Sequence, residues 1–92
     1  MKSKILSKLA DKKFEKLGFT KIKESDLSVS YEKRVSDFNY TQCIDIICHK
    51  KNVPNIAISY QAGVNSEGFN NCVGLSVKEM RAVLLKMKAK GF

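Results

Sequence analysis

The stretch of this chain densest in reactive side chains is CIDIICHK, Cys43 to Lys50, which holds two of the three cysteines and the only histidine. Sulfur and imidazole in such proximity would suit a zinc site, a redox pair, or a nucleophile with its base. Each of these chemistries needs the side chains to converge, and the local pattern decides whether they can. The run reads as a β-strand, in which successive side chains point to opposite faces. Cys43, Asp45, Ile47 and His49 then share one face, and Ile44, Ile46 and Cys48 the other. Cys48 and His49 point apart. Cys43 and His49 share a face but stand about 20 Å apart at about 3.3 Å per residue, whereas zinc needs its ligands within about 2.0–2.3 Å of one centre. A Cys43–Cys48 disulfide fails in the same way, because its Cα atoms must come within about 7 Å.

Catalytic pairs meet the same obstacle. Asp45 and His49 would be about 13 Å apart along the strand, beyond any general acid–base contact. Cys43 as a nucleophile lacks a histidine within reach, and Glu24 and Asp26 lie in a polar turn. A glycine-rich phosphate cradle and a nucleophile elbow are both missing from the sequence. The expectation is a non-catalytic chain with three free thiols, no metal, no cofactor and no small-molecule substrate. Cys48 is expected to be a small core residue, the usual fate of a free cysteine.

The elements that carry these residues follow from periodicity. Ile5, Leu6, Leu9, Ala10, Phe14 and Leu17 recur at helical spacing, which predicts a helix over 3–17 with Gly18 as its stop. The period then changes to two. FTKIKE is a short, weak strand candidate, and LSVSYEKR alternates with Leu27, Val29 and Tyr31 on one face. NYTQCIDIICHK continues the pattern, and NIAISYQ follows the turn at Asn52, Pro54 and Asn55. CVGL is at most a last short strand. Ser76 and Glu79 form a capping box, after which Val77, Met80, Val83, Leu84 and Met87 make the expected core stripe of a final helix. The fold class read from this pattern is α+β, a single domain over residues 1–92. An antiparallel sheet of three to four strands has the N- and C-terminal helices packed on one face, α-β-β-β-(β)-α.

Charge is the strongest pointer to function. The net charge is +8, and both ends of the chain hold the excess while residues 24–75 are slightly acidic. With both helices on one sheet face, Lys4, Lys8, Lys12, Lys16, Lys78, Arg81, Lys86 and Lys88 are the expected members of an exposed basic layer. Such a layer suits the phosphates of nucleic acid or nucleoprotein. With only two arginines among seventeen cations, the guanidinium forks favoured for base readout are scarce. The bare sheet face offers an alternative surface for a host protein or a second copy of the chain. Ser28, Ser30, Cys43, Asp45, Ile47, Ala57 and Ser59 are expected there, with Ile47 at its centre, and Leu85, flanked by Ala82 and Ala89, is expected as an apolar spot on the outer side of the last helix. Lysines interrupt MKSKILSKLADKKF before any secretory apolar run can form, and no segment has the length and apolarity of a membrane span. A cytoplasmic location without membrane contact is therefore expected, in keeping with an odd number of cysteines.

The α-β-β-β-α order resembles that of the double-stranded RNA-binding domain. That family places a Lys-Lys-x-Ala-Lys cluster at the start of its last helix. The matching stretch here, SVKEMRAVLLKM, has Lys78 and Arg81 with Glu79 between them and lacks the cluster, and the family's minor-groove loop is not recognisable. FEKLGFTKI (Phe14 to Ile22), VSYEK (Val29 to Lys33) and LSVKEMRAVLLKMKAKGF (Leu75 to Phe92) are similar to short uncharacterised accessory proteins carried by phages and prophages of low-GC Gram-positive bacteria. In that group a strand leads into a capped helix ending in glycine plus an aromatic, as Gly91 and Phe92 do here. The resemblance implies an accessory protein of a mobile element that acts stoichiometrically, binding a nucleic acid or occupying a host protein. It carries over no functional residue.

Overall fold

A computed structural model describes residues 2–35, 40–47, 55–62 and 73–90. Helix α1 (Lys2–Lys16) is followed by strands β1 (Thr20–Glu24), β2 (Ser28–Val35), β3 (Tyr40–Ile47) and β4 (Ile56–Ala62), and by helix α2 (Val77–Lys90). The strands form one antiparallel meander in the order β1-β2-β3-β4. The α+β class and the element order expected from periodicity are those observed, with four strands. The short strand expected at CVGL does not form over the described part of that stretch. Val73 there donates a single backbone hydrogen bond to the carbonyl of Ser59.

Both helices are delimited by local chemistry. At the end of α1, Phe19 N–H donates to the Phe14 carbonyl at 2.9 Å and Gly18 N–H to that of Glu15 at 2.9 Å. This is the Schellman pairing, which needs a left-handed residue after the helix. Gly18 supplies it at φ 95°, and a Cβ there would meet Lys33 Cδ at 3.0 Å. The accompanying apolar contact is Phe14 against Phe19, edge to face with ring centroids 5.8 Å apart. At the start of α2 the capping box forms as expected. Ser76 N–H donates to Glu79 Oε1 at 2.9 Å, and Glu79 N–H to Ser76 Oγ at 3.1 Å.

The core lies between the helices and one face of the sheet, and is built from Phe14, Phe19, Val29, Tyr31, Ile44, Ile46, Ala82 and Val83. Phe14 stacks on Tyr31 with ring centroids 3.8 Å apart. Ile44 and Ile46 are fully buried, and Asp45 between them points to the other face.

The register corrects the membership of the bare face. Cys43 pairs with Tyr60, Asp45 with Ile58 and Ile47 with Ile56, and directly paired residues lie on the same face. Ile56, Ile58 and Tyr60 therefore share the bare face with Cys43, Asp45 and Ile47. Ala57 and Ser59, expected there, instead face the helices. Ser59 Oγ accepts a buried hydrogen bond from Gln42 Nε2, which is what lets a polar strand position sit inward.

Helix α2 is also turned differently from its apolar pattern. Val77, Met80 and Leu84 are 57%, 43% and 64% exposed, while Ala82, Lys86 and Ala89 are buried. Close approach of α1 explains this rotation. Alanines leave the second helix room to come near, and Ala10 of α1 is likewise fully buried. Val83 is buried as expected and Met87 packs partly against the core. Leu85 is half-buried, and Ala82 and Ala89 beside it are inside. The outer apolar spot expected around Leu85 does not exist, since α2 presents that side to the interior.

Candidate polyanion interface

Lys86 must leave the basic layer. Its side chain is fully buried, and its ammonium donates to Ser7 Oγ, to Asp11 Oδ1 at 3.0 Å and to the Glu24 carboxylate at 3.3 Å. A lysine tolerates full burial only when its charge is matched and its donors are filled. Around it runs a polar seam that ties β1 to both helices. Lys21 bonds Asp11 at 3.0 Å and Glu24 at 2.9 Å, Lys90 bonds Glu24 at 3.1 Å, and the Tyr31 hydroxyl donates to Asp11 at 2.6 Å. Partial burial would raise the Glu24 carboxyl, but the hydrogen bonds from Lys21 and Lys90 and the charges of Lys86 and Lys21 outweigh it and hold it at about 2. Asp11 is likewise held below its ordinary value, with burial opposed by hydrogen bonds from Tyr31, Lys21 and Lys86. Burial, then the bond to Asp11, pushes the Tyr31 hydroxyl up.

The remaining predicted cations are where the sequence reading put them. Lys4, Lys8, Lys12 and Lys16 of α1 and Lys78, Arg81 and Lys88 of α2 are all exposed. The α1 lysines follow one another every fourth residue, so the row runs about 18 Å along the helix at about 1.5 Å per residue. The C-terminal turn of α1 lies beside the N-terminal turn of α2, and the C-terminal half of α2 reaches Ser7 and Asp11, so the helices run antiparallel. That arrangement opens a cleft of about 320 Å³ lined by Lys13, Lys16, Leu17, Lys78 and Arg81. Among the described residues no carboxylate lines it. Glu79, the acid in the first turn of α2, is buried and engaged by Ser76 N–H and by Lys33 at 3.4 Å.

Lys13 is the member that sequence reasoning missed. It sits outside the every-fourth-residue row, and only the meeting of the two helix ends gives it neighbours. Its one local signal is its place in the last turn of α1, where a cation complements the helix dipole.

On the bare sheet face, Cys43, Asp45 and Ile47 do lie together. The Tyr60 hydroxyl donates to Asp45 Oδ2 at 2.9 Å. That bond first, and burial second, pushes the Tyr60 phenol up to about 12. Burial and the charge of Glu32 raise the Cys43 thiol, which disfavours the nucleophilic thiolate. Ile56 and Ile58 are 38% and 41% exposed and continue the apolar line from Ile47. Among the described residues, no three His, Cys, Asp or Glu side chains converge as a metal site, and no helix is long and apolar enough to cross a membrane. Cys48, His49 and Cys72 lie outside the described residues. No protein-family model, curated protein or solved structure matches the chain.

Proposed function

We propose that this chain is a small non-catalytic binding protein of the cytoplasm that takes up nucleic acid or nucleoprotein on the basic layer formed by α1 and α2. The observation that carries this reading is the cleft between the helices, where Lys13, Lys16, Lys78 and Arg81 meet without an acid among the described lining residues. Lys4, Lys8, Lys12 and Lys88 extend the positive surface beyond it. Ammonium groups dominate, and Arg81 is the one guanidinium of the layer, so the contacts are to phosphates and the binding is sequence-independent. A stoichiometric role of this kind fits the accessory proteins of mobile elements that the sequence resembles.

The test is fluorescence anisotropy with labelled DNA and RNA, duplex and single-stranded, comparing the wild type with Lys8→Glu/Lys12→Glu/Lys88→Glu. All three positions are exposed, so the fold, followed by circular dichroism, is expected to survive. The triple variant should lose affinity for every sequence alike. Absence of wild-type binding at about 50 mM salt, where phosphate contacts are strong, would remove the reading.

A second reading uses the bare sheet face. Ile47, Ile56 and Ile58 align across β3 and β4, and an apolar line of this kind suits a host protein or a second copy of the chain. A charge placed at Ile47 would abolish function there and leave nucleic-acid binding intact.

A further inference from the structure

We propose that the α1–α2 cleft is a discrete, saturable site for one compact oligophosphate group, distinct in behaviour from the diffuse lysine surface around it. As a seat for nucleic-acid phosphates this rests on the reading above; as a site for free polyphosphate it stands alone. Among the described residues, the cations along β1, β2 and the C-terminal half of α2 that are ion-paired meet acids. Lys21, Lys86 and Lys90 are held by Asp11 or Glu24, and Lys33 by Glu79. The cleft differs: its described lining is four exposed cations and one leucine, with no acid among them. Like charges gathered in one concavity raise the local potential and repel each other until an anion enters.

The lining also selects the ligand. Arg81 offers a planar fork that takes two phosphate oxygens at once, and the three lysines are compact point charges suited to the rest. Leu17 is half-buried and contributes no competing acceptor. A volume of about 320 Å³ is at the small end of ligand pockets. Among the described residues no aromatic lines the cleft, and Phe14, the aromatic of α1, is fully buried. A base therefore finds no stacking partner among them. The ligand class is the phosphate chain itself, with a nucleoside adding nothing.

The experiment is a titration of the isotope-labelled full chain with inorganic triphosphate, followed by amide chemical shifts, with ATP, adenosine and a short duplex run alongside. The expected result is one saturable event centred on Lys13, Lys16, Leu17, Lys78 and Arg81. ATP should match triphosphate, and adenosine should leave the spectrum unchanged. Arg81→Lys keeps the charge and loses one of two charge-assisted hydrogen bonds, so it should weaken triphosphate by about tenfold. Lys23→Glu, at an exposed position of β1 outside the helical layer, should be nearly silent. Triphosphate shifts that never saturate, or that spread evenly over the lysines, overturn the site, and duplex binding with a steep salt dependence in that case leaves the nucleic-acid reading standing. Saturation by triphosphate with no duplex binding supports the site, assigns it to free polyphosphate and removes the nucleic-acid reading. Saturation together with displacement of the duplex supports both.

Discussion

Replacing Lys86 by methionine tests whether a buried ion network, rather than apolar packing, fixes α2 against α1 and β1. Methionine keeps most of the stem and removes the ammonium, so the change isolates charge from cavity formation. Lys86 is fully buried, with Asp11 at 3.0 Å and Glu24 at 3.3 Å. Removing one partner of a buried pair costs about 3–5 kcal/mol, because the other charge is left uncompensated. Here both carboxylates keep other cations, Lys21 for each and Lys90 for Glu24, and both reach water. The cost therefore sits at the low end, about 3 kcal/mol, or a fall in Tm of roughly 12–24 °C for a domain of this size. Urea unfolding followed by circular dichroism should show it. The double variant Asp11→Asn/Lys86→Met should lose less than the two single variants together, since one interaction cannot be removed twice. A loss under about 0.5 kcal/mol, typical of a surface change, with strict additivity, would refute the network.

The acid limb of stability should depend on Glu24. A carboxyl held at about 2 in the fold, against 4.5 ordinarily, stabilises the protein above the higher value and loses that contribution as pH falls toward the lower. The urea midpoint should thus drop between those pH values, and Glu24→Gln should flatten the drop; an unchanged profile would contradict the assignment. Ile46→Ala, in the centre of the core, should cost about 2–5 kcal/mol. Leu84→Ala, on the exposed side of α2, should stay within about 0.5 kcal/mol, and comparable losses at the two sites would mean that α2 is rotated otherwise. Ile47→Glu should leave polyanion affinity unchanged, and a loss seen by anisotropy would bring the sheet face into the binding surface.

Element order and helix ends were legible because their signals are local. The Gly18 stop, the Ser76–Glu79 box and the alternation through Val29, Tyr31, Ile44 and Ile46 each act within a few residues. The rotation of α2 was not legible. An apolar stripe of Val77, Met80 and Leu84 outscored one made of Ala82, Lys86 and Ala89, because a lysine reads as solvent-facing unless its acids are known. Those acids, Asp11 and Glu24, come from the other end of the chain and meet Lys86 only in the fold. The facing of β4 was misread for a similar reason: register is a relation between strands, and a buried Gln42–Ser59 bond reverses what a run of isoleucines suggests. Within the candidate interface, seven of the eight expected cations are exposed. Sequence reading could not foresee the cleft, because antiparallel packing alone brings Lys13 and Lys16 beside Lys78 and Arg81.

The most direct test of the phosphate-binding claim is the salt dependence of duplex affinity. Each phosphate contact lowers log K by about 0.9 per tenfold rise in salt. Four contacts from the cleft alone give a slope of about −3.6, and engagement of Lys4, Lys8, Lys12 and Lys88 as well takes it to about −7. A slope in that range, made shallower by about one for each of these residues changed to alanine, is the predicted result. Binding with a slope shallower than about −2, or no duplex binding at low salt, would contradict it.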